Sequence, residues 1–326
     1  MGSHRRLFAL LAAALIGVSA PTAATAAPGS AGRVPVRLVA GLQGGSGSTV
    51  GPDGALYVTE GAVGRVSRVD PRTGRVTTFA SGLPPYLVGV GIGGAMDVAF
   101  LGRTAYVLVT LVGPDVGGSN TVGIYRVDGP HSFTVVADIG AWALAHPPVP
   151  AFFIPTGVQY AMQPYRGGFL VTDGHHNRVL RVELDGDISE VIAFGDIVPT
   201  GIETRGNTVY MAEAGPIPHL PETGKIVSFR PKAPVAREVA SGGRLLVDVE
   251  FGRGHALFAL AQGIWPLGNP DGSPALPNTG QLLRVNRHGT FSVVAEHLNQ
   301  PTSLELIGDT AYVVTLGGEV WKIAHV

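Results

Sequence analysis

The chain has 326 residues, of which 45% are hydrophobic and 14% are charged, and its formal net charge is −1. This hydrophobic content excludes a mainly disordered chain. The near-neutral charge gives no electrostatic reason to expect nucleic acid or an anionic membrane surface as a partner. Cysteine is absent, which excludes disulfides and a thiol nucleophile.

The first residues are typical of a secretory signal peptide. A short basic start precedes an apolar run from Leu7 to Val18, and Ala24-Thr25-Ala26 offers a cleavage site of small residues. The apolar run is too short to cross a bilayer as a helix. We therefore predict a signal peptide over residues 1–26, a single domain over residues 27–326, and a secreted protein with no membrane attachment after cleavage.

The rest of the chain repeats one short pattern about six times. Each copy of its second element is an apolar, aromatic or β-branched run, which is typical of a strand. When these runs are aligned, their anchor positions are Tyr57, Tyr106, Leu170, Tyr210, Phe258 and Tyr312. A third and a fourth strand follow each anchor, so the repeat predicts an all-β fold, a six-bladed β-propeller with four strands in each blade.

The last repeat lacks its fourth strand, because the chain ends soon after Gly318–Ile323. The missing strand is available at the other end of the chain. The segment VRLVAGL, Val36 to Leu42, resembles a fourth strand and belongs to no other repeat. We therefore predict that this N-terminal strand completes the last blade and closes the ring.

Carboxylates recur on the innermost strands, which flank the central channel. Our alignment places Glu203, Glu250 and Glu305 at one level, together with Thr49, Ala99 and Gln159. One position earlier it places Asp97, Asp248, Ser303, Gly157 and Gly201. Buried carboxylates need partners. One alternative is that arginines of neighbouring blades pair with them. The other is that they line a water-filled channel mouth that binds a ligand or cation. The ligand-binding hypothesis names Asp97, Glu203, Asp248 and Glu305.

Histidines cluster in loops that a propeller places on one face. His175 and His176 lie in the hairpin TDGHHN, where Asp173, Gly174 and Asn177 suit the turn itself. His219 lies in the corresponding loop of the next blade, and His146 lies in the connection that enters the third blade. We predict a metal site formed by His175, His176 and His219, with His146 and Asp173 as further ligand-binding residues. The alternative is that these histidines only cap hairpins or face solvent.

The segments GPDGALYVTEG, FTVVADIGAW and TDGHHNRVLRVELDGDISEVIAF, with VPTGI after them, resemble the ScyD/ScyE family of exported bacterial propeller proteins. The resemblance covers nearly the whole mature chain, and its hairpin motif is shared with NHL repeats and virginiamycin B lyase-like propellers. It implies a six-bladed extracytoplasmic propeller linked to pigment formation, and it implies no defined reaction. Family members tend to have small residues where His175 and His176 stand.

Three functions remain open at the level of the sequence, and whether the protein is an enzyme is undecided. It is a module that binds a small molecule or a protein partner at the channel mouth, an accessory protein in extracellular pigment or natural-product formation, or a metal-dependent lyase, lactonase or hydrolase. A divalent metal, zinc or calcium, is the cofactor that these residues would suit. No Gly-x-Ser-x-Gly elbow or P-loop is present, and Gly89–Gly94 lacks a strand–helix context for dinucleotide binding.

Overall fold

The structure, a computed structural model, describes residues 33–87, 91–270 and 272–326. The predicted signal peptide, residues 1–26, and part of Gly89–Gly94 lie outside these ranges. In the described residues no helix is long and apolar enough to cross a membrane.

The chain forms six antiparallel sheets of four strands each, arranged in a ring. Blade 1 consists of β2 (Gly45–Val50), β3 (Leu56–Glu60), β4 (Arg65–Val69) and β5 (Val76–Ser81). Blade 2 consists of β6 (Gly94–Leu101), β7 (Thr104–Thr110), β8 (Gly123–Gly129) and β9 (Ser132–Asp138). Blade 3 consists of β10 (Gln159–Tyr165), β11 (Gly168–Asp173), β12 (Arg178–Val182) and β13 (Ile188–Ala193).

Blade 4 consists of β14 (Pro199–Arg205), β15 (Thr208–Glu213), β16 (Gly224–Arg230) and β17 (Ala233–Gly243). Blade 5 consists of β18 (Leu246–Phe251), β19 (Leu257–Ala261), β20 (Gly280–Val285) and β21 (Phe291–Leu298). Blade 6 consists of β22 (Pro301–Ile307), β23 (Thr310–Thr315), β24 (Val320–Ala324) and β1 (Val36–Val39). One α-helix, α1 (Ile139–Ala145), and two 3-10 turns (Pro114–Val116 and Arg253–His255) complete the described elements. The predicted six-bladed β-propeller is confirmed.

The N-terminal strand closes the ring as predicted. Strand β1 pairs antiparallel with β24, with Val36 opposite Lys322 and Val39 opposite Val320. Val39 and Leu42 are buried between blades 6 and 1, in a cluster that includes Leu56, Val58, Tyr312 and Val314. Every blade therefore has four strands, and the first and last described strands pair in one sheet.

The strand register confirms most of the repeat alignment and corrects one blade. The six anchors pair across the sheet with inner-strand residues Thr49, Ala99, Gln163, Glu203, Glu250 and Glu305. In blade 3 the inner-strand residue at the level of the glutamates is therefore Gln163. The alignment that placed Gln159 at this level is wrong. A register shift between Gln159 and Met162 separates the two positions. Gln159 is instead fully buried, where its Oε1 accepts a hydrogen bond from Thr110 of blade 2.

The Asp97 level lies one channel-facing position before the glutamate level, which is two residues along the strand, because side chains alternate between the two faces of a strand. Its six positions are Gly47, Asp97, Ala161, Gly201, Asp248 and Ser303. Ala161 replaces the predicted Gly157 in blade 3, for the same register reason.

The two faces of the ring carry connections of very different length. Turns between strands one and two and between strands three and four are short, and we name their side the short-turn face. All connections of ten or more residues lie on the other side, the long-loop face: residues 82–93, 111–122, 139–158, 214–223 and 262–279. Long loops on a rigid scaffold are where binding residues concentrate.

Residues 262–270 and 272–279 of blade 5 form a roof over the channel at the long-loop face. A methyl group placed on Gly272 would lie 3.7 Å from Cδ1 of Ile92, which belongs to the connection entering the opposite blade 2. Trp265 and Ala275 of the roof are buried against Val198, Ala214 and Leu245. The Gln262 Oε1 accepts a hydrogen bond from Ala275 N at 2.9 Å, which fixes the roof to its own blade.

Candidate functional site

The central channel contains a cavity of about 310 Å³, lined by the inner strands of all six blades. It extends from Tyr160 to Val50, Phe100 and Pro164, which lie towards the ends of their strands. Those ends face the short-turn side of the ring. The cavity therefore runs along the inner strands from Tyr160 towards the short-turn face.

Five carboxylates line this cavity: Asp97, Glu203, Asp248, Glu250 and Glu305. Among the described lining residues there is no Lys, Arg or His. The pairing of these carboxylates with arginines of neighbouring blades, one of the two alternatives left by the sequence, is therefore not what the structure shows. Their partners are backbone N–H groups, neutral side chains and one another.

Asp97 and Asp248 hold equivalent positions on opposite blades, 2 and 5. Each accepts one hydrogen bond from the next residue of its own strand, Val98 N or Val249 N, at 2.8 Å. The other oxygen of each accepts a hydrogen bond from the next blade, from Met162 N or Leu304 N, at 2.7 Å. These two carboxylates are therefore built into the walls and help to join the blades.

Glycines of the preceding blades make room for the two aspartates. A Cβ on Gly47 would lie 2.2 Å from Asp97 Oδ1, and a Cβ on Gly201 would lie 2.5 Å from Asp248 Oδ1. Contacts this short are not tolerated, so the positions need glycine whenever the aspartates stand beside them.

Three glutamates on consecutive blades form the remainder of the acidic wall. Glu203 accepts hydrogen bonds from Thr204 N at 2.7 Å and from Gln163 Nε2 at 2.8 Å. Glu250 and Glu305 lie on the next two blades at the same level. The negative charge on one of these glutamates makes it harder for its neighbours to lose their protons.

Burial raises the pKa of every carboxylate in this cavity. The pKa of Asp248 rises to about 7, and that of Glu203 also rises to about 7, with a further contribution from the charge of Asp248. Burial, followed by the charges of neighbouring carboxylates, raises the pKa of Glu250 and Glu305 well above the usual range. Burial likewise raises the pKa of Asp97, against the hydrogen bonds from Met162 and Val98.

These pKa shifts predict that the protein loses stability as the pH rises through neutrality. A carboxyl whose pKa is higher in the folded than in the unfolded chain, where it is about 4, favours folding below pH 4. That contribution is lost as the pH rises through about 7, the folded pKa of Glu203 and Asp248. We expect Tm to fall by about 5 °C or more between pH 5 and pH 8, which corresponds to roughly 2 kcal/mol.

Calorimetry across the same pH range compares the Tm of the unmodified protein with that of a triple variant, Glu203→Gln/Glu250→Gln/Glu305→Gln. Its Tm should depend much less on pH. Burial also raises the pKa of Glu213, outside the cavity, to about 7, so Glu213→Gln is measured separately as the control. An equally steep decline in the triple variant would show that the three glutamates are not its cause.

Tyr160 closes the cavity on the side of the long loops. Its side chain crosses the channel from blade 3, and the hydroxyl lies 3.5 Å from the carbonyl oxygen of Thr302 on the opposite blade 6. Burial, with the nearby charges of Asp248 and Asp97, raises the Tyr160 pKa, so the hydroxyl keeps its proton. The channel is thereby divided into two compartments.

The second compartment is a smaller pocket between Tyr160 and the roof, which we name the roof pocket. His175 and His219 line it, together with Gln262 and several apolar side chains. The structure therefore brings together two of the three histidines that the sequence assigned to a metal site. They are separated by Tyr160 from the carboxylates that the sequence placed beside them.

His176 does not share the roof pocket. Its side chain is fully buried, with Nδ1 2.9 Å from Arg178 Nη2 and Nε2 3.1 Å from the carbonyl oxygen of Ile154. His176 therefore does not stand beside His175 and His219, as the predicted metal site would require. Nδ1 also lies 3.1 Å from Asp173 Oδ2, so the ring is held between the Asp173 carboxylate, the Arg178 guanidinium and the Ile154 carbonyl.

Asp173 and His146 also lie away from the channel cavity. Asp173 is fully buried and accepts hydrogen bonds from Arg178 Nε at 3.0 Å and Val158 N at 3.1 Å. The His146 ring stacks on Trp142, with ring centroids 4.3 Å apart, at the edge of a side groove. Of the six predicted ligand-binding residues, Asp97, Glu203, Asp248 and Glu305 line one cavity and these two do not.

No group of three or more His, Asp or Glu side chains arranged to hold a metal ion occurs in the part of the chain that the structure describes. Tyr160 lines the channel, although the repeat pattern did not predict it there. Its position follows from the register shift at the start of β10, which no sequence pattern marks.

Comparison with known proteins gives structural likeness only. No protein-family model and no curated protein matches the sequence. Virginiamycin B lyase from Staphylococcus aureus is 13% identical, with a TM-score of 0.53 over 90% of this chain and 99% of its own. The gluconolactonase XC5397 from Xanthomonas campestris is 11% identical, with a TM-score of 0.62 over 89% of each chain.

The PQQ-bound aldose sugar dehydrogenase from Streptomyces coelicolor is 14% identical, with a TM-score of 0.58 over 89% of this chain and 96% of its own. At these identities the likeness concerns the fold. In its fold, the chain is similar to β-propellers of the virginiamycin B lyase and gluconolactonase types.

Proposed function

We propose that the protein binds a small organic cation in its central channel. The observation that carries this proposal is the cavity of about 310 Å³ with five carboxylates and, among its described lining residues, no basic side chain. A cation inside it would be attracted by every ionised carboxylate, in surroundings that screen charge less than water does. It would also stabilise the ionised carboxylates, whose pKa values burial raises.

An organic ammonium suits this wall better than a tightly bound metal ion. Two of the five carboxylates, Asp97 and Asp248, already use both oxygens for backbone N–H groups. A divalent metal would need several oxygens converging on one point, whereas ammonium groups accept a looser arrangement because their three donors rotate.

We also propose that the protein acts outside the cytoplasm. The signal-peptide pattern and the resemblance to the ScyD/ScyE family both support an exported binding protein, with an accessory role in the formation of an extracellular pigment or natural product. On this view the ligand is a small nitrogen-containing intermediate of such a compound.

A second candidate function is a metal-dependent lyase, lactonase or hydrolase. The likeness in fold to a lyase and a gluconolactonase supports it, and carboxylate oxygens are the ligands that Ca²⁺ prefers. The same experiment separates the two candidates.

The test is calorimetric titration of the mature chain with butane-1,4-diammonium at pH 8. The protein is recovered from outside the cytoplasm, where its first residue should be Ala27. We expect saturable binding that weakens at least tenfold at pH 5, because protonated carboxyls no longer attract the cation. The neutral analogue butane-1,4-diol should not bind.

The Glu203→Gln/Glu250→Gln/Glu305→Gln chain should lose at least tenfold in affinity for the diammonium. Glu238→Gln, which removes an exposed carboxylate on an outer strand, is the matched control and should bind normally. Binding of Ca²⁺ or Zn²⁺ without binding of the diammonium would favour the metal-dependent enzyme. Equal binding in the triple variant would overturn the proposal.

A further inference from the structure

Four exposed arginines surround the channel at the short-turn face, and we name them the arginine rim. They stand in or beside the turns between the first two strands of blades 2 to 5: Arg103, Arg166, Arg205 and Arg253. The acidic cavity runs towards the same face, where Val50, Phe100 and Pro164 border its end and are partly exposed. A ligand that enters the cavity from this face therefore passes the arginine rim.

Two arginines of the rim reach across to the next blade. Arg166 Nη2 of blade 3 donates a hydrogen bond to Asn207 Oδ1 of blade 4 at 2.5 Å. The guanidinium carbon of Arg205, in blade 4, lies 5.5 Å from the ring centre of Phe251 in blade 5. Both side chains therefore lie along the ring of turns instead of extending into solvent.

The rim carries an excess of positive charge. The acidic residues in the corresponding turns of blades 1 and 6 are Asp53, which pairs with Arg68 at 2.7 Å, and Asp309, which lies 3.0 Å from His325. Within the described residues, none of the four rim arginines forms a salt bridge, since the arginines that do so are others: Arg37, Arg65, Arg68, Arg126, Arg178 and Arg181. An anionic group at the mouth would thus find guanidiniums with donors to offer.

The positive rim and the acidic wall are separated by a short distance along the strands. Arg205 follows Glu203 by two residues, and Arg253 follows Glu250 by three. At roughly 3.3 Å per extended residue, the backbone positions of these pairs lie about 7–10 Å apart. A Cβ placed on Gly308 of blade 6 would lie 3.6 Å from Arg253 Nη2, so this side chain also reaches the next blade. One short molecule can therefore span the two sets of charges.

We propose that the ligand of the channel is a small zwitterion, with its ammonium group in the acidic cavity and a carboxylate at the arginine rim. This inference rests on the proposed function, because it keeps the ammonium site and adds a second contact to the same ligand. Guanidiniums bind carboxylates through two parallel hydrogen bonds. A ligand with only an ammonium group meets the positive rim without a compensating contact, and a ligand with only a carboxylate meets the acidic wall.

The test compares three ligands of similar length by calorimetric titration of the mature chain at pH 8. The ligand 6-aminohexanoate carries both charges, pentane-1-ammonium carries only the positive charge, and hexanoate carries only the negative charge. We expect 6-aminohexanoate to bind about tenfold more tightly than either of the others, as suits one added hydrogen-bonded contact between charged groups.

Two variants show whether the arginine rim is the cause of this preference. The rim variant is Arg103→Gln/Arg166→Gln/Arg205→Gln/Arg253→Gln, and it should bind 6-aminohexanoate no more tightly than pentane-1-ammonium. The control variant removes four exposed cations from the outer turns of the same face, those between strands three and four: Arg72→Gln/Arg75→Gln/Lys232→Gln/Arg287→Gln. It should keep the preference for 6-aminohexanoate.

The outcomes separate this inference from the proposed function. Binding of pentane-1-ammonium as tight as that of 6-aminohexanoate, or an unchanged preference in the rim variant, would overturn the zwitterion and leave the cation site in place. Binding of hexanoate as tight as that of 6-aminohexanoate would also overturn it, because the rim would then be an anion site unconnected with the cavity. Binding of none of the three ligands would contradict the proposed function, and the zwitterion with it.

Discussion

A chain that starts at Gly44, and therefore lacks β1, is expected to aggregate instead of giving a stable monomer. The deletion exposes one edge of β24, with its unpaired N–H and C=O groups, and such edges pair with other chains. It also removes Val39 and Leu42 from the core between blades 6 and 1. Full burial of each such side chain is worth about 1.5–3 kcal/mol, which is a large part of the stability of a typical domain.

Light scattering and thermal unfolding measure the outcome. A chain that starts at Arg33 keeps β1 and is the control, which should remain monomeric. In a chain of full length, Val39→Asp should reproduce part of the loss by placing a carboxylate in the same cluster. If the chain that starts at Gly44 is monomeric and melts at the temperature of the control, ring closure by β1 does not stabilise the protein.

Replacement of Asp173 by Ala is expected to cost about 3–5 kcal/mol, the usual consequence of leaving one partner of a buried ion pair alone. Arg178 is only 2% exposed, and Asp173 is the acidic partner on its Nε. The same replacement also leaves Val158 N without its acceptor. Asp173→Asn should cost less, because an amide oxygen still accepts from Val158 N.

Urea unfolding of the three chains measures these differences. The control is Glu238→Ala, which breaks the exposed pair with Lys225 and should cost less than about 1 kcal/mol. A loss for Asp173→Ala as small as for the control would mean that the Arg178 guanidinium finds other partners. The Asp173 carboxylate would then not be what holds the hairpin at residues 173–178.

The fold was predictable because each blade repeats a local pattern that has a physical cause. The middle strands are buried on both faces between neighbouring blades, so β3, β7 and β11 read as continuous apolar runs. The hairpin of blade 3 was predictable for the same reason. Asn177 adopts φ of +54° and accepts hydrogen bonds from Ile197 N and Val198 N, a role that its short amide side chain can fill.

The candidate site was predictable only in part, because it depends on register and on what crosses the channel. Asp97, Glu203, Asp248 and Glu305 were found because they occupy a repeated position on inner strands. Tyr160 was missed, and with it the separation between the carboxylates and His175, since a shift of register changes which side chains reach the axis. The burial of His176 depends on Arg178 and Ile154, and no spacing rule relates these residues.

The aspartates of the channel show how the ring is assembled from parts. Asp97 stands against Gly47 of blade 1 and accepts from Met162 N of blade 3, so it ties three consecutive blades together. Asp248 repeats this arrangement with Gly201 of blade 4 and Leu304 N of blade 6. In these contacts alone, blades 4 to 6 repeat blades 1 to 3 after half a turn about the axis, so the same device joins the blades at two opposite places in the ring.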